Sequence, residues 1–169
     1  MRDAAPLQWD PAAAPCGRKE PFMFNHLLVP VDGSDLSDKA MTSGLALAQR
    51  LGARVTGFIV EPFAPPPASI GEGYVYGRIT KAHDETVRAH ADEVLGRFER
   101  LAAEAGVAFQ RVSVQANNIE DAIVDAARDH QCDLVVMVTH GRGVFGELMW
   151  GSHTKNLMSR TKLPVLVLH

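Results

Sequence analysis

Cysteine is nearly absent from this 169-residue chain. The only two, Cys16 and Cys132, stand at unrelated positions. That is neither a disulfide framework nor a metal-ligand set, and it fits a reducing compartment. No apolar run approaches the ~20 residues of a membrane-spanning helix, so no membrane role is expected. An excess of basic charge is lacking too: 17 Lys and Arg against 20 Asp and Glu give a formal net charge of −3. Without a basic stripe the chain offers no electrostatic footprint for nucleic acid. An anionic ligand must then be held by local geometry and helix ends. Hydrolytic motifs are missing as well, with no G-x-S-x-G, no H-E-x-x-H and no paired carboxylates, so no catalytic residue is nominated. The N-terminal MRDAAPLQWDPAAAPCGRKEPF has no apolar core of the signal-peptide kind. It reads either as a disordered tail over residues 1–22 or as translation upstream of Met23, and the cytoplasm is the default location.

What is present is an ordinary globular composition, 46% hydrophobic and 22% charged, in a length that makes one domain with one substantial core. Regular pattern begins at Phe24. Asn25 to Val31, NHLLVPV, is a short apolar run between turn residues and predicts a buried strand. DGSDLSDKA follows, with Ser34 or Asp35 able to cap a helix that carries Leu36, Ala40, Met41, Leu45, Ala48 and Leu51 on one face and stops at Gly52. Arg54 to Val60 is a second strand. Pro62 to Thr80, with four prolines and three glycines, reads as a long variable loop. From Lys81 a helical period returns through Val87, Ala91, Val94, Phe98, Leu101 and Ala105 to Gly106. Gln110 to Gln115 is a third strand, and Asn117-Asn118 can cap a helix through Ile119, Ala122, Ile123 and Ala126. Asp133 to Val138 is a fourth strand; a helix starts at about Ser152, and Pro164 to Leu168 is the last strand.

Strands alternate with helices five times, which predicts an α/β fold: a single-domain, five-stranded, parallel open sheet with right-handed crossovers and helices on both faces. Ligands of such sheets bind at the carboxyl ends of the strands, where the strand order reverses. Attention therefore goes to Val31-Asp32-Gly33-Ser34 after strand one and to the glycine-rich MVTHGRGVFGELMWGSH after strand four. Two signatures overlap in the latter. Gly141, Gly143 and Gly146 spell the dinucleotide fingerprint, but no strand ending in an acid follows to hold a ribose. Gly146 and Gly151 spell the start of a P-loop, but Ser152-His153 stands where its Lys and Ser/Thr belong. A third spacing survives, Gly141 and then Gly151-Ser152 with nine residues between, from a strand end to a helix start. Glycine there admits a ligand to the backbone, and the free N–H groups of the helix start suit phosphate.

With these residues the chain, from Phe24 to His169, resembles the universal stress protein family. The likeness rests on the LLVPVDGS start, the variable loop after strand two, the MVTHGRG strand end, GS before the last helix and the closing PVLVL strand. The family's nucleotide motif is G-x-x-G, nine residues, then G-(S/T). Gly141, Gly151 and Ser152 match it; Val138 stands in place of its first glycine. The resemblance implies a Rossmann-like sheet of the adenine nucleotide alpha hydrolase kind, order 3-2-1-4-5, that binds ATP, with Mg or Mn as an accompanying ion. It puts Pro30 and Val31 at the base pocket, Asp32 near the ribose or a phosphate-bound metal, and the Val60 backbone at the adenine edge. Met137 and Val138 would flank the adenosine, and Gly141, Arg142, Gly143, Gly151, Ser152 and His153 would surround the phosphates. Val138 either shrinks the pocket or only removes a backbone conformation that valine disfavours.

Plainer roles compete at each position. Asp32 can satisfy loop amides, Ser152 can simply cap a helix, Arg142 can be a solvated loop residue, and Leu148, Met149 and Trp150 look like packing. Seven histidines invite a metal, yet His83 and His90 share a helix face without a third ligand at zinc-like spacing. The last strand is apolar and guarded only by Pro164, so pairing with its copy in a homodimer is expected, as the family resemblance also implies. Three functions stay open: nucleotide-linked action through conformation or partners, a nucleotide-free dimeric stress or interaction protein, and a slow ATPase.

Overall fold

The structure, a computed structural model, describes residues 24–64, 73–138 and 152–168, with backbone alone for 73–78 and 152–155. The chain runs β1 (His26–Pro30), α1 (Asp35–Leu51), β2 (Arg54–Glu61), α2 (Gly73–Glu104), β3 (Phe109–Gln115), α3 (Ile119–Asp129), β4 (Leu134–Val138), α4 (Ser152–Arg160) and β5 (Val165–Leu168). All five strands are parallel, in the order β3-β2-β1-β4-β5. The expected architecture is therefore the observed one.

Burial on both faces explains why β1 reads as an unbroken apolar run rather than an alternating one. Leu27, Val29 and Val31 join Val55, Ile59, Leu134 and Val136 under α1 and α2. Leu28 points the other way, with Phe58, Val135, Ile123, Ala127 and Leu157 under α3 and α4. Each strand thus serves two cores, and a one-residue slip would exchange them.

Two boundaries differ from the sequence reading. Helix α2 begins at Gly73, so the last part of the segment read as loop over Pro62–Thr80 is helical. Gly73 and Gly77 looked like breakers, but a glycine costs a helix only about 1 kcal/mol, and no proline stands between Pro67 and Pro164. Strand β2 runs on to Glu61, which pairs in register with Gln115 and whose carbonyl accepts from Ala116 N–H at 3.0 Å. At the helix ends Gly52 closes α1, and the Asn118 side chain caps α3 by accepting from Asp121 N–H.

The amino end of the sheet holds a buried polar set. His26 Nε2 lies 2.7 Å from Thr56 Oγ1, while its Nδ1 is buried without a hydrogen-bond partner among the described residues. Burial, and then the charge of Arg54, push the His26 imidazole below its ordinary pKa. Cys132 is buried beside them, and burial pushes its thiol up to about 11. A thiol so disfavoured as thiolate packs as a small apolar group rather than reacting.

Candidate functional site

The carboxyl ends of β1 and β4 are where the strand order reverses, and the two strands part there. Strand β1 pairs with β2 along its whole length, from His26↔Arg54 to Pro30↔Phe58. Its ladder with β4 holds only Leu27↔Leu134 and Leu28↔Val135, although β4 itself continues to Val138 along β5. Pro30 has no N–H with which to extend the ladder. Pro30-Val31 at one strand end and Met137-Val138 at the other thus flank the place where a sheet of this order is expected to hold its ligand crevice.

Asp32 follows closely on the end of β1, in a turn built from its own neighbours. Its Oδ1 accepts from Ser34 N–H at 3.0 Å, the Ser34 hydroxyl at 2.6 Å and the Ser37 hydroxyl at 2.7 Å. The Ser37 oxygen, buried on α1, in turn accepts from the amides of Asp32 and Gly33 at 2.8 and 3.1 Å. Burial raises the pKa of the Asp32 carboxyl, but the hydroxyl and amide hydrogen bonds from Ser34 and Ser37 outweigh it and hold the carboxyl below its ordinary value. The turn therefore keeps a carboxylate at the strand end, and every one of these hydrogen bonds falls on Oδ1. Ser34 does occupy the N-cap of α1, but its side chain makes no cap hydrogen bond because its hydroxyl is turned to Asp32.

Gly33 follows with φ +80°, and a Cβ there would meet His90 Nε2 at 2.8 Å and Val94 Cγ2 at 3.0 Å. Helix α2 thus lies directly on the turn. Its His90 Nδ1 is 2.6 Å from Oε1 of Glu61, which is mostly buried at the end of β2. One helical turn pair earlier, the His83 ring nitrogen donates to the Pro62 carbonyl at 2.9 Å, and Gln115 of β3 donates to Asp84 of α2 at 3.1 Å. Sequence reasoning weighed His83 and His90 only as metal ligands and set them aside, and so missed that both bind the end of β2. The available signal was Glu61, a carboxylate at the end of an otherwise apolar strand. Among the described residues no group of three or more His, Cys, Asp or Glu is placed to hold a metal ion. A shallow groove of about 200 Å³ lies beyond Glu61, toward the sheet edge between α2 and β3 and away from the crevice.

Of the residues singled out from sequence, Pro30, Val31 and Asp32 stand together at the end of β1, with Val31 N–H bonded to the Phe58 carbonyl at 2.8 Å. Val60 is the penultimate residue of β2. Met137 and Val138 end β4 with their side chains on opposite faces, Met137 against the α3/α4 core and Val138 against the α1/α2 core. Ser152 and His153 open α4. Gly141, Arg142, Gly143 and Gly151 lie outside the described residues.

Residues 23–169 match the model of the universal stress protein family. The chain belongs to that family. A universal stress protein of Thermus aquaticus, from the 3′ region of a QAH/OAS sulfhydrylase gene, is 31% identical over 149 residues, covering 86% of this chain and 98% of the relative. Among solved structures, a universal stress protein in complex with cAMP superposes with a TM-score of 0.58 at 21% identity, over 86% of this chain and 97% of that one. One from Archaeoglobus fulgidus in complex with dAMP gives 0.55 at 15% identity, over 88% and 99%. At those identities the superpositions establish the shared fold of this stress protein, and the nucleotides belong to the proteins that hold them.

Proposed function

We propose that this universal stress protein binds an adenine nucleotide, ATP foremost, in the crevice between the ends of β1 and β4, and acts in stress response through nucleotide-linked conformation or partner binding. The parting of β1 from β4 beside the Asp32 carboxylate carries the reading. The cAMP and dAMP held by proteins of the same fold support the ligand class. In this reading Pro30 and Val31 line the base pocket, the Val60 backbone meets the adenine edge, and Met137 and Val138 flank the adenosine. The stretch from Gly141 through Gly143 and the start of α4 at Gly151, Ser152 and His153 takes the phosphates, where free amides and the helix dipole favour negative charge. Asp32 faces the ribose or a Mg or Mn ion on the phosphates; a carboxylate oxygen is a hard donor of the kind those ions accept. Turnover is slow at most, because no lysine clamp and no base for an attacking water are offered. The protein pairs through β5 as a cytoplasmic homodimer, which would cover an apolar sheet edge; no helix among the described residues is long and apolar enough to cross a membrane.

One observation favours a nucleotide-free dimer instead. Val138 occupies the motif's first glycine position as an extended strand residue paired with Leu168, its side chain packed into the α1/α2 core. Calorimetric titration of ATP, together with acid extraction of the purified protein, separates the two. Bound adenine nucleotide, or binding heat that Gly151→Val removes, is the expected result. No extracted nucleotide and no heat at about millimolar ATP, far weaker than a functional site of this depth requires, would leave the dimer reading standing.

A further inference from the structure

The Glu61–His90 pair is assigned no part in the crevice by anything so far, and its geometry is that of an oriented imidazole. A carboxylate only accepts, so the 2.6 Å contact to Glu61 Oε1 puts the ring proton on Nδ1. In the neutral ring Nε2 then carries the lone pair. That atom has no hydrogen-bond partner among the described residues, and it is the part of the ring nearest Gly33, where a Cβ would stand 2.8 Å away. The His90 side chain remains 44% exposed while that of Glu61 behind it is 10% exposed, so the carboxylate is the fixed partner of the two. Asp32 precedes Gly33, and its Oδ2 takes none of the turn's hydrogen bonds from Ser34 and Ser37. Two acceptors therefore flank one glycine, and neither brings a donor. An adenine base presents mostly acceptors and a phosphate presents nothing else, whereas the vicinal hydroxyls of a ribose are two donors side by side.

We propose that His90, held by Glu61, is a ribose-contacting residue of the nucleotide site, its Nε2 accepting from one of the two vicinal hydroxyls beside the Asp32–Gly33 turn. This rests on the nucleotide reading above and deepens it: the ligand class narrows to ribonucleotides with that hydroxyl free. Helix α2 thereby becomes part of the site, because it carries the ring, and Glu61 is a positioning residue that acts through it.

The test is calorimetric affinity for ATP, 2′-deoxy-ATP and 3′-deoxy-ATP with the full chain, His90→Phe, Glu61→Gln and Glu61→Leu. The unaltered protein should prefer ATP to one deoxy analogue by about five- to tenfold, the worth of one neutral hydrogen bond. His90→Phe should lower ATP affinity by that same factor and leave that analogue's affinity unchanged. Glu61→Gln retains an acceptor for Nδ1 and should keep the preference; Glu61→Leu, which also fits a buried position, should erode it. Equal loss for ATP and both analogues in His90→Phe would mean a merely structural role and overturn the proposal. So would equal binding of all three by the unaltered protein, which leaves nucleotide binding itself intact. Failure to bind any of them removes the nucleotide reading, and this one with it.

Discussion

Gly33→Ala tests how closely helix α2 lies on the Asp32 turn, because two separable penalties meet at that residue. The first is conformational: at φ +80° an L side chain is strained by roughly 1–2 kcal/mol. The second is steric, since the new methyl would overlap His90 Nε2 at 2.8 Å and press Val94 Cγ2 at 3.0 Å. His90 can yield only by leaving Glu61, which at a half-exposed ring gives up about 1 kcal/mol; Val94 is buried on α2 and has little room. Against these, alanine restricts the unfolded chain and returns about 0.4–1 kcal/mol. The balance is a loss of roughly 1–2.5 kcal/mol, or about 2–10 °C in Tm for a domain of this size. Gly106→Ala is the internal control. Its φ of +66° is comparable and a Cβ there meets nothing within 4 Å, so it reports the conformational penalty alone. Urea unfolding followed by circular dichroism should place Gly33→Ala at least 1 kcal/mol below Gly106→Ala, and adding His90→Ala should recover most of that difference. If the two alanine variants are equally stable, His90 does not rest on the turn, and the ribose proposal loses its geometry.

Two other predictions concern the scaffold. Gly57→Ala on β2 drives a methyl into the Phe98–Phe109 pair, at 2.5 Å from Phe109 Cζ and 2.8 Å from Phe98 Cδ1; with Phe98 fully buried it should destabilise by about 1–3 kcal/mol, and Phe109→Leu in the same chain should relieve part of the loss. Equal destabilisation in both backgrounds refutes the crowding. His26 makes the fold acid-sensitive: because its folded pKa lies below the ordinary 6.5, the unfolded chain takes the proton first, and stability present above pH 6.5 is lost as pH falls through that value toward the folded one. His26→Leu should flatten this limb of a Tm-against-pH curve; an unchanged slope between pH 6.5 and 5 would show that other groups cause it.

The scaffold was legible in the sequence because its signals are local and repeated. Apolar runs of strand length, helix faces such as Ala40-Met41-Leu45-Ala48, and the closing glycines at Gly52 and Gly106 each point to one element independently of the rest. The start of α2 was not legible, since Gly71, Gly73 and Gly77 carry the composition of a loop and only the folded chain shows that helix begins among them. The order of the strands came from likeness to a family, because nothing in a strand's own residues says which neighbour it will pair with.

The site divides along the same line. Asp32 and Ser34 could be named because a turn is written in four consecutive residues, though that Ser34 serves the carboxylate instead of the helix cap, and that Ser37 joins it, follows only from the geometry. Glu61 and His90 are 29 positions apart, on different elements, and each has an innocuous reading alone. Their pairing needs the register of β2, which extends one residue beyond its apolar pattern to bring Glu61 under α2. It also needs the absence of a side chain at Gly33, which lets the helix close on the turn. Gly33 thus answers to two demands, its own backbone angle and the space taken by His90, and the second is the one that ties α2 to the crevice. A glycine read from sequence as a turn residue is therefore also a contact, and the residue it contacts is the one on which the ribose proposal rests.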